Sequence, residues 1–210
     1  MKCVLLLLFT LFGDITAQFG SQGQTDILNV HNTLRSSVAK GTYVAKGTTK
    51  KAGSNITKMK WDATVAASAQ KYAETCPTGH SHTPGLGENL YWSWTSATVG
   101  DLNIYGSKAS SSWEKEFQDF GWTSNNLTLE AFNSGIGHAT QMAWAQSNLV
   151  GCGVKSCGPD PSVRNLNKIA IVCQYKPAGN TIGTLIYTEG PTCSACPSGT
   201  SCEQSSGLCV

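Results

Sequence analysis

Four side chains in this sequence have the chemistry to do more than hold a fold: His80, Glu88, Glu116 and His138. Imidazoles and carboxylates can pass protons or ligate a divalent metal, but only if the chain brings them together. Local spacing does not. No two of the four stand at i, i+4 on a helix, and no His-Glu-x-x-His string occurs. His82 is a further imidazole beside His80, and Ser81 between them is a candidate nucleophile without the Gly-x-Ser-x-Gly setting of an activated one. The remaining histidine, His31, shares a helical stripe with Ile27 and Leu34 and is expected to be a hydrogen-bonded core residue.

The elements that must position these groups follow from periodicity. Ile27, Val30, Leu34 and Val38 recur at three- and four-residue steps, predicting a first helix from an N-cap at Thr25 to Gly41. Thr42 to Asn55 reads as a Lys-bearing loop, and Asp62 opens a second helix reaching about Cys76. A third helix is expected over Lys108 to Phe120 and a fourth over His138 to Ala145. Asn89 to Trp94, Val150 to Val154, Ile169 to Tyr175 and a short Thr184 to Tyr187 read as strands.

The first 17 residues, with Lys2 ahead of the apolar run Cys3 to Phe12, read as a signal peptide cleaved after Ala17. Its removal leaves eight of the nine cysteines: Cys76, Cys152, Cys157, Cys173, Cys193, Cys196, Cys202 and Cys209. In an oxidising compartment these are four disulfides rather than zinc ligands. The first four are expected to pair among themselves within the cored domain and the last four within a tail that has almost no apolar side chains. Sequons at Asn55 and Asn126 predict glycosylated, exposed loops. A net charge of +2 without a basic run points to neither nucleic acid nor an anionic membrane, and no stretch is long enough to be a transmembrane segment.

Two strings carry a family likeness. Gly137-His138-Ala139-Thr140-Gln141-Met142-Ala143-Trp144 and Ile171-Val172-Cys173-Gln174-Tyr175-Lys176-Pro177-Ala178-Gly179-Asn180 resemble the signature motifs of the CAP superfamily (SCP domain), which comprises cysteine-rich secretory proteins, antigen 5 and pathogenesis-related proteins of class one. His31-Asn32 with Arg35, Lys60-Trp61-Asp62 and Gly87-Glu88-Asn89-Leu90 agree in the same order. The cysteine strings are most similar to worm venom-allergen-like, activation-associated secreted proteins.

The resemblance implies an α+β, three-layer α/β/α sandwich, with the domain over 18–188 and a Cys-rich hinge-like tail over 189–210. It implies that His80, Glu88, Glu116 and His138 converge in a surface cleft able to hold zinc or another divalent metal, with His82 as an alternative ligand and no cofactor required. Ala139 stands where the family usually has an aromatic, which is expected to open the cleft wall.

The implied function is that of a secreted, extracellular, monomeric and non-catalytic effector or ligand-binding protein, acting on an extracellular protein or lipid. The alternatives are a sterol or fatty-acid carrier using Phe117, Phe120, Trp122 and Phe132, and a metal-dependent hydrolase.

Overall fold

The computed structural model describes residues 18–210; the signal segment and Cys3 lie outside the described residues. The elements are α1 (Ser21–Ala39), β1 (Val44–Ala45), β2 (Thr48–Thr49), β3 (Lys60–Trp61), α2 (Ala63–Ala73), β4 (Gly87–Thr95), α3 (Ile104–Glu114), α4 (Glu116–Asp119), α5 (Leu129–Ala131), α6 (Gly137–Ala143), β5 (Leu149–Asp160), β6 (Leu166–Lys176), β7 (Cys202–Glu203) and β8 (Leu208–Cys209). Four strands form the central sheet in the order β3-β5-β6-β4, with β3 parallel to β5 and the other pairs antiparallel.

The period of two in β5 and β6 explains the layering. Val150, Cys152 and Val154, with Ile169, Ile171, Cys173 and Tyr175, bury one sheet face in a core shared with α1, α3 and α6. The alternate positions of β5 are Gly151 and Gly153, where a Cβ would fall 2.0 Å from the Ala66 nitrogen and 2.3 Å from the Gln70 Cα. The small face of α2 (Ala66, Ala69 and Ala73) can therefore lie directly on the backbone of β5. The result is a three-layer α/β/α sandwich.

A buried cation ties α1 to the end of α6 and to the loop before β3. Arg35, fully buried in α1, donates from Nε to Thr57 O (2.8 Å), from Nη1 to Met142 O (2.9 Å) and Trp144 O (2.8 Å), and from Nη2 to Thr57 Oγ1 and Ala145 O (both 3.1 Å). Three of these acceptors are carbonyls at the C-terminal end of α6, where a positive charge meets the negative end of the helix dipole. Burial lowers the guanidinium pKa to about 9, so it is still charged at neutral pH.

The disulfides are Cys76–Cys157, Cys152–Cys173, Cys193–Cys202 and Cys196–Cys209, and none joins the domain set to the tail set. The expectation of a coreless tail needs correction at Leu208, which is fully buried in the main core. Cys209 exchanges backbone hydrogen bonds with Ile56 and Lys58, and Glu203 pairs with Lys58 at 2.8 Å. One leucine is too little to make a pattern, so the sequence carried no sign of this docking.

Other local expectations also shift. Thr25 is not the N-cap: α1 begins four residues earlier, and Thr25 Oγ1 donates back to Ser21 O. Asp62 does cap α2, accepting from the Val65 N–H. The third helix breaks at Lys115 into α3 and α4. Thr184 to Tyr187 is not a strand and makes only a single bridge, Asn126 to Leu185, because its other partners are loop carbonyls and amides. Asn126 is exposed, but Asn55 is half-buried, with its Oδ1 accepting from the Thr188 N–H.

Candidate functional site

The four candidate residues line one cleft of about 440 Å³, together with Asn89, Phe120, Phe132 and Asn180. Glu88 lies near the start of β4, opposite Gln174 of β6, and His80 comes from the loop before it. Glu116 opens α4 and His138 is the second residue of α6.

The four form two His–Glu pairs. His80 Nδ1 lies 3.0 Å from Glu88 Oε1 and His138 Nδ1 2.5 Å from Glu116 Oε1. Each carboxylate is itself fixed. Glu88 accepts from the Ser81 N–H (2.8 Å), Ser81 Oγ (2.5 Å) and Gln174 Nε2 (2.9 Å). Burial, the largest single influence on Glu88, pushes its pKa up, but the bonds from Ser81, Gln174 and His80 together outweigh it and hold the carboxyl below its usual value. Glu116 Oε2 accepts from the backbone N–H groups of His138 and Ala139, both at 3.0 Å, satisfying donors in the first turn of α6. Trp113 stacks on the His138 ring at 5.9 Å between centroids.

An ionised carboxylate can only accept, so the imidazole nitrogen facing it carries a proton, and in the neutral ring the other nitrogen, Nε2, is the one with a lone pair. Nε2 of His80 and of His138 makes no hydrogen bond to the described residues. The donors do not gather into one compact cage. Among the described residues, the only group of three or more His, Cys, Asp or Glu with ligand atoms within 4.8 Å of one another is Cys193, Cys196 and Cys209, all in disulfides. His80 and His138, each with a carboxylate behind its ring, are the cleft residues whose donor atoms could hold a metal.

Other expectations sort by position. His82 is exposed in a left-handed backbone conformation and does not line the cleft. His31 is fully buried, with Nδ1 on Ile27 O (2.8 Å) and Nε2 on the Tyr175 hydroxyl (2.9 Å). Ala139 does not open the cleft wall: its side chain is fully buried in the core, and only its N–H serves the site. Of the four aromatics, Phe117 and Trp122 stack in the core at 4.2 Å, while Phe120 and Phe132 stand at the cleft, 52% and 37% exposed.

Several residues that hold the site were not singled out from the sequence. Asn89 donates to the carbonyl of His138 (3.1 Å) and to the Tyr175 hydroxyl (3.2 Å), linking the cleft to buried His31. Gln141 clasps the two signature strings together: its Oε1 accepts from the Gly179 N–H at 2.9 Å, and it leaves no room for a Cβ at Gly87, which would come 2.1 Å from that oxygen. Thr140 and Asn180 repeat the clasp at 2.8 Å. All of these stand inside the quoted strings, but what each one touches depends on distant segments meeting.

This sandwich, with its paired His and Glu at a sheet edge, defines a class. The cysteine-rich secretory protein family model matches residues 28–175, and the chain belongs to that family, the CAP family. It is 40% identical over 201 residues to the Ancylostoma secreted protein of Ancylostoma caninum, an alignment covering 89% of this chain and 45% of that protein. To cysteine-rich secretory protein 2 of Cavia porcellus it is 37% identical, covering 93% of this chain and 71% of the relative. It thus spans less than half the length of the Ancylostoma relative. Among solved structures, BmVAL-1 superposes with a TM-score of 0.83 at 33% identity, covering 94% of this chain and 98% of that one. The crystal structure of NaASP2 with Zn2+ superposes with a TM-score of 0.81 at 33% identity, covering 94% and 99%. Among the described residues no helix is long and apolar enough to cross a membrane.

Proposed function

We propose that the protein is a secreted, non-catalytic effector that works by binding, and that its cleft holds a divalent metal, zinc first, between His80 and His138. The observation that carries this reading is the state of the two imidazoles. Each spends Nδ1 on a carboxylate and keeps Nε2 free of protein partners beside a cleft large enough for a small ligand. His80 and His138 would be the ligands, and Glu88 and Glu116 would orient the rings and raise their basicity. The metal would supply a positive centre for an oxygen of the bound partner. A related protein, NaASP2, has been crystallised with Zn2+, and four disulfides suit an oxidising, extracellular setting.

A serine nucleophile, as distinct from a metal-dependent hydrolase using the four cleft residues, draws little support from Ser81. Ser81 Oγ donates to Glu88 Oε2, so the carboxylate stands between serine and imidazole, where a serine nucleophile needs the imidazole next to it. Exposed Phe120 and Phe132 favour a second reading, an apolar ligand such as a sterol or fatty acid entering along the cleft rim. Anomalous scattering at the zinc edge tests the metal reading: density between His80 and His138, lost in His138→Ala, is expected. An empty site under saturating zinc overturns it. Robust turnover of peptide or ester substrates, abolished in Glu88→Ala, would refute the non-catalytic assignment, and lipid extraction with mass spectrometry of the purified protein decides the carrier reading.

A further inference from the structure

Leu90, Trp92 and Trp94 alternate onto one face of β4, the face that α2 covers. Leu90 packs with Ala69 and Ala73 at the end of α2, and Trp92 lies partly buried against that cluster. Trp94, two residues further on, is 38% exposed. It stands across from Lys168 of β6, which stands across from Gly158 of β5. Gly158 follows a bulge, has φ +76°, and would present a Cβ to open space. The floor beside Trp94 is therefore bare, and a groove of about 430 Å³ runs there between the two indoles and the turn at Asp160. It shares no residue with the His/Glu cleft. Glu88 lies six residues back, about 20 Å along the strand.

Both indoles are locked by their own N–H groups. Trp92 Nε1 donates to Pro77 O at 2.9 Å and Trp94 Nε1 to Asp160 Oδ2 at 3.0 Å. What the groove offers a visitor is therefore aromatic face rather than indole N–H. Two opposite charges flank it. The Asp160 carboxylate also accepts from Ser162 N (3.0 Å) and Oγ (2.6 Å), and the Lys168 ammonium sits 5.8 Å from the Trp92 ring. A cationic ligand would meet Lys168, which already occupies the cation–π position, and an anionic one would meet Asp160. A neutral polyhydroxylated ring is complementary to all three features: its C–H face stacks on an aromatic plane, and its hydroxyls donate to a carboxylate and accept from an ammonium.

We propose that the groove of Trp92, Trp94, Asp160 and Lys168 is a binding site for a neutral saccharide, with a sugar ring stacked on Trp94 and its hydroxyls bonded to Asp160 and Lys168. The full secreted chain would be screened on an array of neutral oligosaccharides and titrated calorimetrically with chitotriose and cellotriose. Saturable one-site binding to a neutral sugar is expected, weakened about tenfold or more by Trp94→Ala and by Asp160→Asn, and partly retained in Trp94→Phe. Trp94→Phe keeps the aromatic plane and carries the test if the alanine variant proves unstable. No saturable binding to any neutral sugar at millimolar concentration overturns the proposal. So does affinity unchanged in Trp94→Ala, or tighter binding of tetramethylammonium or of a sulfated oligosaccharide, each of which would mean that charge governs the groove.

Discussion

His31 gives the fold a measurable acid sensitivity. Burial lowers its pKa from 6.5 to about 4, with nearby Arg35 lowering it further and the Ile27 carbonyl opposing. The unfolded chain therefore takes up a proton at this position near pH 6.5, while the folded protein refuses it until about pH 4. Stability from this residue is complete above pH 6.5 and is lost as the pH falls towards 4. At about 1.4 kcal/mol per pH unit, the loss across that window amounts to about 3 kcal/mol. Urea unfolding at steps from pH 7 to 4, with disulfides intact, would measure it in the wild type and in His31→Gln. The glutamine removes the titration but can still reach Ile27 O and the Tyr175 hydroxyl. The difference between the two proteins is the informative quantity, because every other ionisable group is common to both. Glu88, held below its usual range, loses its contribution only as the pH falls through that lowered value. A wild-type-minus-variant difference that stays flat between pH 6.5 and 4.5 would show that His31 exchanges protons freely, and the buried Ile27–His31–Tyr175 network would have to be abandoned.

Arg35→Met leaves the carbonyls of Thr57 and Met142 buried without a donor and should cost about 3 to 5 kcal/mol, lowering the melting temperature by roughly 10 °C. Loss of less than about 1 kcal/mol would mean that water replaces the guanidinium. Gly153→Ala drives a methyl group into the backbone of α2 at Gln70 and should lower the urea midpoint by the equivalent of about 3 kcal/mol. Gly158→Ala meets no atoms and should cost about 1 kcal/mol for its positive φ, so equal effects would contradict the close approach of α2 to β5. Graded reduction with alkylation and mass spectrometry should label half-buried Cys193 and Cys202 first and buried Cys152 and Cys173 last; labelling of Cys152 ahead of Cys193 would contradict the assigned burial.

The sequence by itself determined the frame of this protein. Alternation in Val150 to Val154 and Ile169 to Tyr175 marked the two central strands, because a strand with one cored face must repeat every two residues. The Asp62 cap and the Gly41 stop marked helix ends through chemistry local to each turn. The cysteines divided into two sets at the point where apolar residues run out. Motif strings supplied the four cleft residues, but only through likeness to a family, since 58 residues separate His80 from His138 and no local rule spans that distance.

What tertiary structure alone decided is how those pieces act. It set His and Glu in two pairs with Nδ1 engaged, placed His82 outside the cleft, and moved Ala139 from the cleft wall to the core. It buried Leu208 and so anchored a tail that composition had left without a core. It also stood Trp94 beside Lys168 and Asp160, past the reach of α2. Each outcome depends on which distant backbone arrives next to a side chain, and that is fixed by sheet register and helix packing rather than by residue type.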